Sequence, residues 1–191
     1  MNPPAARGES KSWRFKKQSL HEELEELQAR SPVLKVLESD DRPGMFRALL
    51  LLGVPTLVAP ERDEVRLSGP VVAVVSYTES MVTTPPLPWS VVTVLEPANF
   101  YHGNSWMGGL CIGDVPAGTS MEAIVHQLFA AVTLQSANTI DWEGMDPSAS
   151  DFIRRHAACW PVVETGLFED PGDDFRCSLD APLSTLREVG R

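Results

Sequence analysis

Cys111 sits among glycines in Gly108-Gly109-Leu110-Cys111-Ile112-Gly113, seven residues after the asparagine of His102-Gly103-Asn104. Glycines give a thiol little side-chain cover, so a large reactant can reach it, and a reachable thiol is a candidate nucleophile. Asn104 carries a neutral amide able to donate a hydrogen bond to an oxyanion, and His102 adds a second polar group on the same short connection. Only a thiolate attacks, and a free cysteine with pKa ~8.5 is little ionised near neutrality. Arg66 is the one lysine or arginine between Glu64 and Asp151, so the sequence shows no strong local electropositive activation of Cys111. Fast chemistry at this thiol then needs help from its reactant. The remaining cysteines lack such a setting. Cys159 shares a helix face with Phe152 and His156, the place of a small buried hydrophobe, and Cys177 has no activating base nearby in sequence.

The elements that position this loop follow from periodicity. Ser19-Leu20-His21-Glu22 has capping-box spacing, and Leu20, Leu24 and Leu27 then recur at helical intervals before Pro32. Runs rich in aliphatic and β-branched residues, 33–37, 45–52 and 71–77, read as an antiparallel meander, and 91–95 as its fourth strand after Pro85, Pro86 and Pro88. The segment with Cys111 reads as irregular. Thr119-Ser120-Met121-Glu122 is a second capping box, opening a central helix with an apolar stripe of Ile124, Val125, Leu128, Phe129 and Val132. Asp146-Pro147 starts a last helix that runs to about Trp160, with the carboxylate at the cap and proline at the first helical position. The fold class is α+β.

Composition sets the outer limits. A chain of 191 residues with 43% hydrophobic content fits one domain with extensions. No apolar run reaches the ~20 residues that span a bilayer, the basic N-terminus has no apolar signal core, and three cysteines give no disulfide framework. These features point to a soluble, cytoplasmic protein. The net charge of −10 argues against binding nucleic acid. Charge is uneven: residues 1–18 form a basic leader with Arg7, Lys11, Arg14, Lys16 and Lys17, and residues 161–191 form a tail with seven acids and three arginines. Both read as solvated, partly disordered ends around a domain at 19–160, or as docking surface for a protein partner.

With its motifs, this order of elements resembles the ubiquitin-conjugating enzyme family. That family carries His-Pro-Asn, a short loop, then Gly-x-x-Cys with an aliphatic residue on each side of the cysteine. His102 and Asn104 match the first motif at its outer positions, and Gly108, Leu110, Cys111 and Ile112 match the second. Pro85-Pro86 resembles the family's proline pair and Asp146-Pro147 its Asp-Pro helix start, so the likeness spans about residues 19–160. Departures are specific. Gly103 stands where the motif has proline, the Asn104–Cys111 spacing is one residue short, and the connection after Cys111 is shorter and lacks the family's tryptophan. The shortened form is more similar to conjugating proteins of bacterial ubiquitin-like operons, some tied to antiviral defence.

The resemblance implies a chemistry and its partners. Cys111 receives the C-terminal carboxyl of a ubiquitin-like protein from an activating enzyme as a thioester, then passes it to an amine of a target protein, with no cofactor or metal. Asn104 donates to the oxyanion of the tetrahedral intermediate or supports the loop through backbone hydrogen bonds. His102 is a structural hydrogen-bonding residue. Asp146 helps orient or deprotonate the incoming amine, or simply caps its helix. Arg14, Lys16 and Lys17 match the region that contacts the activating enzyme.

Three other readings compete. Gly109-Leu110-Cys111-Ile112-Gly113 fits the Gly-x-Cys-x-Gly elbow of thiol hydrolases and amidotransferases, yet Asp114 to Gly118 delay the helix an elbow needs, and no His-x-Glu pair follows. His126 and His156 fall within helices instead. A catalytically silent binding module with the same fold is the second alternative, and relatives of that kind generally lose the cysteine. A zinc site at His156-x-x-Cys159 lacks a second pair of ligands.

Overall fold

Helix α1 (Lys11–Arg30) opens the fold and begins eight residues before Ser19. The computed structural model describes residues 9–61, 64–136, 145–156, 161–177 and 179. Ser10, not Ser19, is the N-cap, and its side chain accepts from the Trp13 N–H. The expected capping box lies inside the helix, where the Ser19 hydroxyl donates to Glu23. Trp13 explains the shift. Its side chain is fully buried and stacked near Tyr77 at 6.2 Å, so the stretch expected as a leader is helical from residue 11 and anchored in the core at Trp13.

The expected meander is present. Strands β1 (Leu34–Arg42), β2 (Met45–Leu52), β5 (Val71–Thr78) and β6 (Val92–Glu96) are neighbours in that order, each pair antiparallel. On β2, Phe46, Ala48, Leu50 and Leu52 alternate into the core, and on β5 Val71, Ala73, Val75 and Tyr77 do the same. Between β2 and β5 the chain makes a hairpin of β3 (Thr56–Glu61) and β4 (Glu64–Ser68), which the polar composition of that span concealed.

The sheet does not stop at four strands. Two short strands, β7 (Ser105–Trp106) and β8 (Gly109–Leu110), extend it in the order β6-β8-β7, so the segment read as irregular is a hairpin on the sheet edge. Helix α2 (Met121–Val132) is central, as expected, with Ile124, Val125, Leu128 and Phe129 buried. Its cap is Ser120, which accepts from Ala123; Thr119 instead donates to the Pro116 carbonyl. Helix α3 (Pro147–Arg155) starts as expected and ends before Trp160, with His156 as its C-cap. Cys159 lies outside the described residues.

The first part of the acidic tail is structural. Val162, Val163 and Leu167 are buried in the same core, and the Leu167 carbonyl accepts from the Ser31 hydroxyl at 2.6 Å. Cys177 donates its N–H to the Gly53 carbonyl at 2.9 Å. No helix among the described residues is long and apolar enough to cross a membrane.

Candidate functional site

The β7–β8 hairpin turns through Met107 and Gly108, with φ of 49° and 84°. Two successive positive φ angles are what a two-residue hairpin turn of type I′ requires. Gly109 is equally constrained, because a Cβ there would stand 2.9 Å from the Trp89 carbonyl oxygen. These glycines fix the register: Trp106 faces Gly109 and Ser105 faces Leu110. One step further along, the Cys111 N–H donates to the Asn104 carbonyl at 2.8 Å, which places Asn104 opposite Cys111. Directly opposed residues project to one side of a ribbon, with Cβ atoms about 5 Å apart. Leu110 is fully buried and Ile112 nearly so, whereas Cys111 between them is partly exposed. The thiol therefore faces out of the core on the same side as the Asn104 amide.

His102 holds the rear of the loop. It is fully buried, its ring lies parallel to Phe100 at 5.7 Å, and its Nδ1 accepts the Asn104 N–H at 3.0 Å. An accepting Nδ1 puts the neutral ring's proton on Nε2. Burial pushes the His102 pKa down to about 4, against the opposing pull of the Ala131 carbonyl. A neutral histidine engaged in this way is loop architecture, and its carbonyl adds to that role by accepting from the Ser105 N–H and hydroxyl.

Gly103, between His102 and Asn104, is held from outside. Its carbonyl accepts the N–H groups of Met145 at 2.8 Å and Asp146 at 3.0 Å. On the other flank Leu57 accepts from Tyr101 and Val58 bridges Phe100, so β3 lies along the approach to His102. Asp146 caps α3, and its Oδ1 accepts from Ser148 and Ala149, each at 3.0 Å. Its charge reaches Tyr101, whose phenol is pushed up first by burial and then by Asp146 and Asp151, with Arg155 opposing.

Asp146 also lines a cleft of about 500 Å³ with Val94, Pro97, Phe100, Trp106 and Met107. Neither Cys111 nor Asn104 lines that cleft. The structure thus joins Cys111, Asn104 and His102 in one hairpin and places Asp146 beside it, around a different space. Trp106 and Met107 were not singled out by sequence, yet Met107 is 95% exposed and Trp106 59%. Two large apolar side chains next to glycines in a strongly acidic chain were the available signal.

The basic residues of α1 divide. Lys17 is buried and paired with Glu9 and Asp41; burial opposes its charge, but the two carboxylates outweigh that and raise its pKa. Lys16 lies over the Tyr77 ring at 5.2 Å. Arg14 is exposed, and its guanidinium donates to the Glu9 carbonyl at 3.5 Å. Cys177 is partly buried: burial raises its thiol pKa, and its Sγ lies 2.8 Å from where a Cβ on Gly69 would stand. Among the described residues no cluster of three or more His, Cys, Asp or Glu side chains could hold a metal ion. No protein-family model matches this sequence, and no curated protein or solved structure matches it either.

Proposed function

We propose that this chain is a conjugating transferase for a ubiquitin-like protein. Cys111 takes the modifier's C-terminal carboxyl from an activating enzyme as a thioester and passes it to an amine of a target protein. The observation that carries this reading is the pairing of Asn104 with Cys111 across the hairpin, with the thiol turned outward. In the transfer step the amine nitrogen adds to the thioester carbonyl, the oxygen gains negative charge, and the Asn104 amide donates to it. Collapse expels the Cys111 thiolate, and the amine proton leaves to solvent or to a carboxylate. His102 holds Asn104 through the backbone and takes no proton near neutrality, since it is buried and neutral.

Helix α2 begins at Met121, ten residues beyond Cys111. A nucleophile elbow needs its helix to begin at the nucleophile, and a hydrolase needs a histidine free to act as base, so the geometry disfavours a hydrolase. The shortened loops favour a bacterial conjugation operon acting in the cytoplasm, with antiviral defence as its setting.

The test uses the full chain, its ubiquitin-like partner, an activating enzyme and ATP, resolved on a non-reducing gel. A thiol-sensitive adduct is expected for the wild type, Cys159→Ala and Cys177→Ala, and none for Cys111→Ala. An adduct that survives Cys111→Ala, or none at all with a competent activating enzyme, overturns the assignment.

A further inference from the structure

We infer that this chain is built to withhold its acyl group from itself: no lysine of its own reaches Cys111, so the thioester waits for an amine carried by another molecule. The use of this property rests on the thioester reading of Cys111; the placement of the lysines does not.

Lys11, Lys16, Lys17 and Lys35 are the only lysines, and residues 36–191 hold nine arginines and no lysine. Arginine keeps the positive charge, but its guanidinium stays protonated, whereas a lysine can lose its proton and attack an acyl group. A uniform preference for arginine would thin lysine everywhere. Here it spares α1 and the start of β1 and empties every element around the thiol, β6, β7, β8, α2 and α3.

The four lysines stand away from the thiol. Leu20, Leu24 and Leu27 of α1 bury in the same core as Val75, Tyr77 and Leu110, so α1 covers the core face of the sheet. Cys111, next to Leu110, points from the opposite face with Asn104 and Trp106. Lys17 is paired with Asp41 on β1, four strands from β8 and so about 19 Å across the sheet. Lys16 lies over the Tyr77 ring on the core side, and Lys11, though exposed, is on the first turn of the same helix, over Phe15. Lys35 is level with Glu96 through Leu51 and Val72, whereas Cys111, one step past Leu110, is level with Val91. Four strands across and five residues along put Lys35 about 25 Å from the thiol, far beyond the reach of its side chain. Its ammonium is also tied to the Leu179 carbonyl at 3.2 Å.

The probe is a short peptide thioester of mercaptoethanesulfonate, which loads Cys111 without an activating enzyme in the full chain carrying Cys159→Ala and Cys177→Ala. The Cys111 thiolate attacks the thioester carbonyl and expels mercaptoethanesulfonate. In self-transfer a lysine nitrogen then bonds to that carbonyl, the carbon–sulfur bond breaks, the thiolate returns to Cys111, and the amine proton goes to solvent. Intact mass after hydroxylamine, which cleaves thioesters and spares amides, reads this step, with Cys111→Ala as the blank for direct acylation. The loaded chain should lose its peptide by hydrolysis and form no amide above the blank. Trp106→Lys places an amine diagonally across the hairpin from Cys111, about 7–8 Å away. It should form the amide at least about tenfold faster than the blank, at a rate independent of protein concentration, and Trp106→Arg should not. Met107→Lys, at the exposed turn, should do the same where Trp106→Lys fails to fold. A concentration-independent amide on any of the four native lysines, or none from either introduced lysine on a folded, loaded chain, overturns the inference. No thioester from a competent activating enzyme, with self-transfer in Trp106→Lys intact, would sink the transferase reading alone.

Discussion

Acid should unlock the loop through His102. In the unfolded chain this histidine titrates near its ordinary 6.5, while in the folded protein burial holds its pKa at about 4. Because the folded value is depressed, its contribution is intact above pH ~6.5 and lost as the pH falls toward 4, where the unfolded chain gains a proton the native state refuses. Between pH 7.5 and pH 5 this one residue should cost about 2 kcal/mol of stability, approaching about 3 kcal/mol below pH 4. The ring is fully buried, so solvent screening does not reduce the figure. Protonation also converts Nδ1 from acceptor to donor and breaks the bond from the Asn104 N–H. Urea unfolding at the two pH values, in wild type and His102→Asn, isolates the contribution. Asparagine can still accept from Asn104 and cannot titrate, so the wild type should lose about 2 kcal/mol more than the variant between pH 7.5 and pH 5. Parallel losses in the two proteins would refute the reasoning. An NMR titration of the His102 ring in the wild type tests the same point without a variant: a midpoint near 6.5 in the folded protein is the refuting result.

Three further perturbations follow from the same geometry. Asn104→Ala should leave charging of Cys111 intact and slow transfer to an amine by about a hundredfold, the usual cost of one oxyanion donor, as read by single-turnover discharge; unaltered discharge would make Asn104 a loop support only. Met107→Gly should relieve the 49° φ and stabilise the protein by about 1 kcal/mol, a rise of a few degrees in thermal midpoint. Gly69→Ala places a Cβ 2.7 Å from the Val54 carbonyl and 2.8 Å from the Cys177 sulfur. It should destabilise by about 1–3 kcal/mol and raise the rate at which a thiol reagent labels Cys177; labelling at the wild-type rate would show that the tail is not seated there.

The legibility of this fold tracked the range of the forces involved. Helix α2 and strands β2 and β5 were readable because their apolar residues recur at the period of the element itself, as Ile124, Val125 and Leu128 or Phe46, Ala48 and Leu50 do. The start of α1 was not, since Lys11 to Lys17 look like a solvated leader until Trp13 is seen in the core. Val162, Val163 and Leu167 were hidden in the same way, by the charge of the residues around them. Strands β7 and β8 contain two residues each, too few for any alternation to show. At the site, Cys111, Asn104 and His102 were legible as types and spacing. Their pairing across a hairpin was not, because it depends on Gly109 fitting against the Trp89 carbonyl, a contact between segments 20 residues apart.

Gly103 gives the chain before Asn104 no covalent restraint of its own, and the fold supplies one from outside. Proline would fix the chain before Asn104 covalently, through a locked φ. Here Asn104 is fixed by hydrogen bonds that come from different parts of the fold. Its own N–H donates to His102, its carbonyl accepts from Cys111, and the neighbouring Gly103 carbonyl accepts from Met145 and Asp146. The first of these depends on the burial of His102 and the last on the seating of α3, both outside the hairpin itself. Asn104 is then only as well placed as those elements are well packed. On the proposed transferase reading, destabilising the start of α3 should consequently impair transfer at Cys111 even though Cys111 does not line the cleft that Asp146 lines, and it should do so without preventing the thiol from being charged.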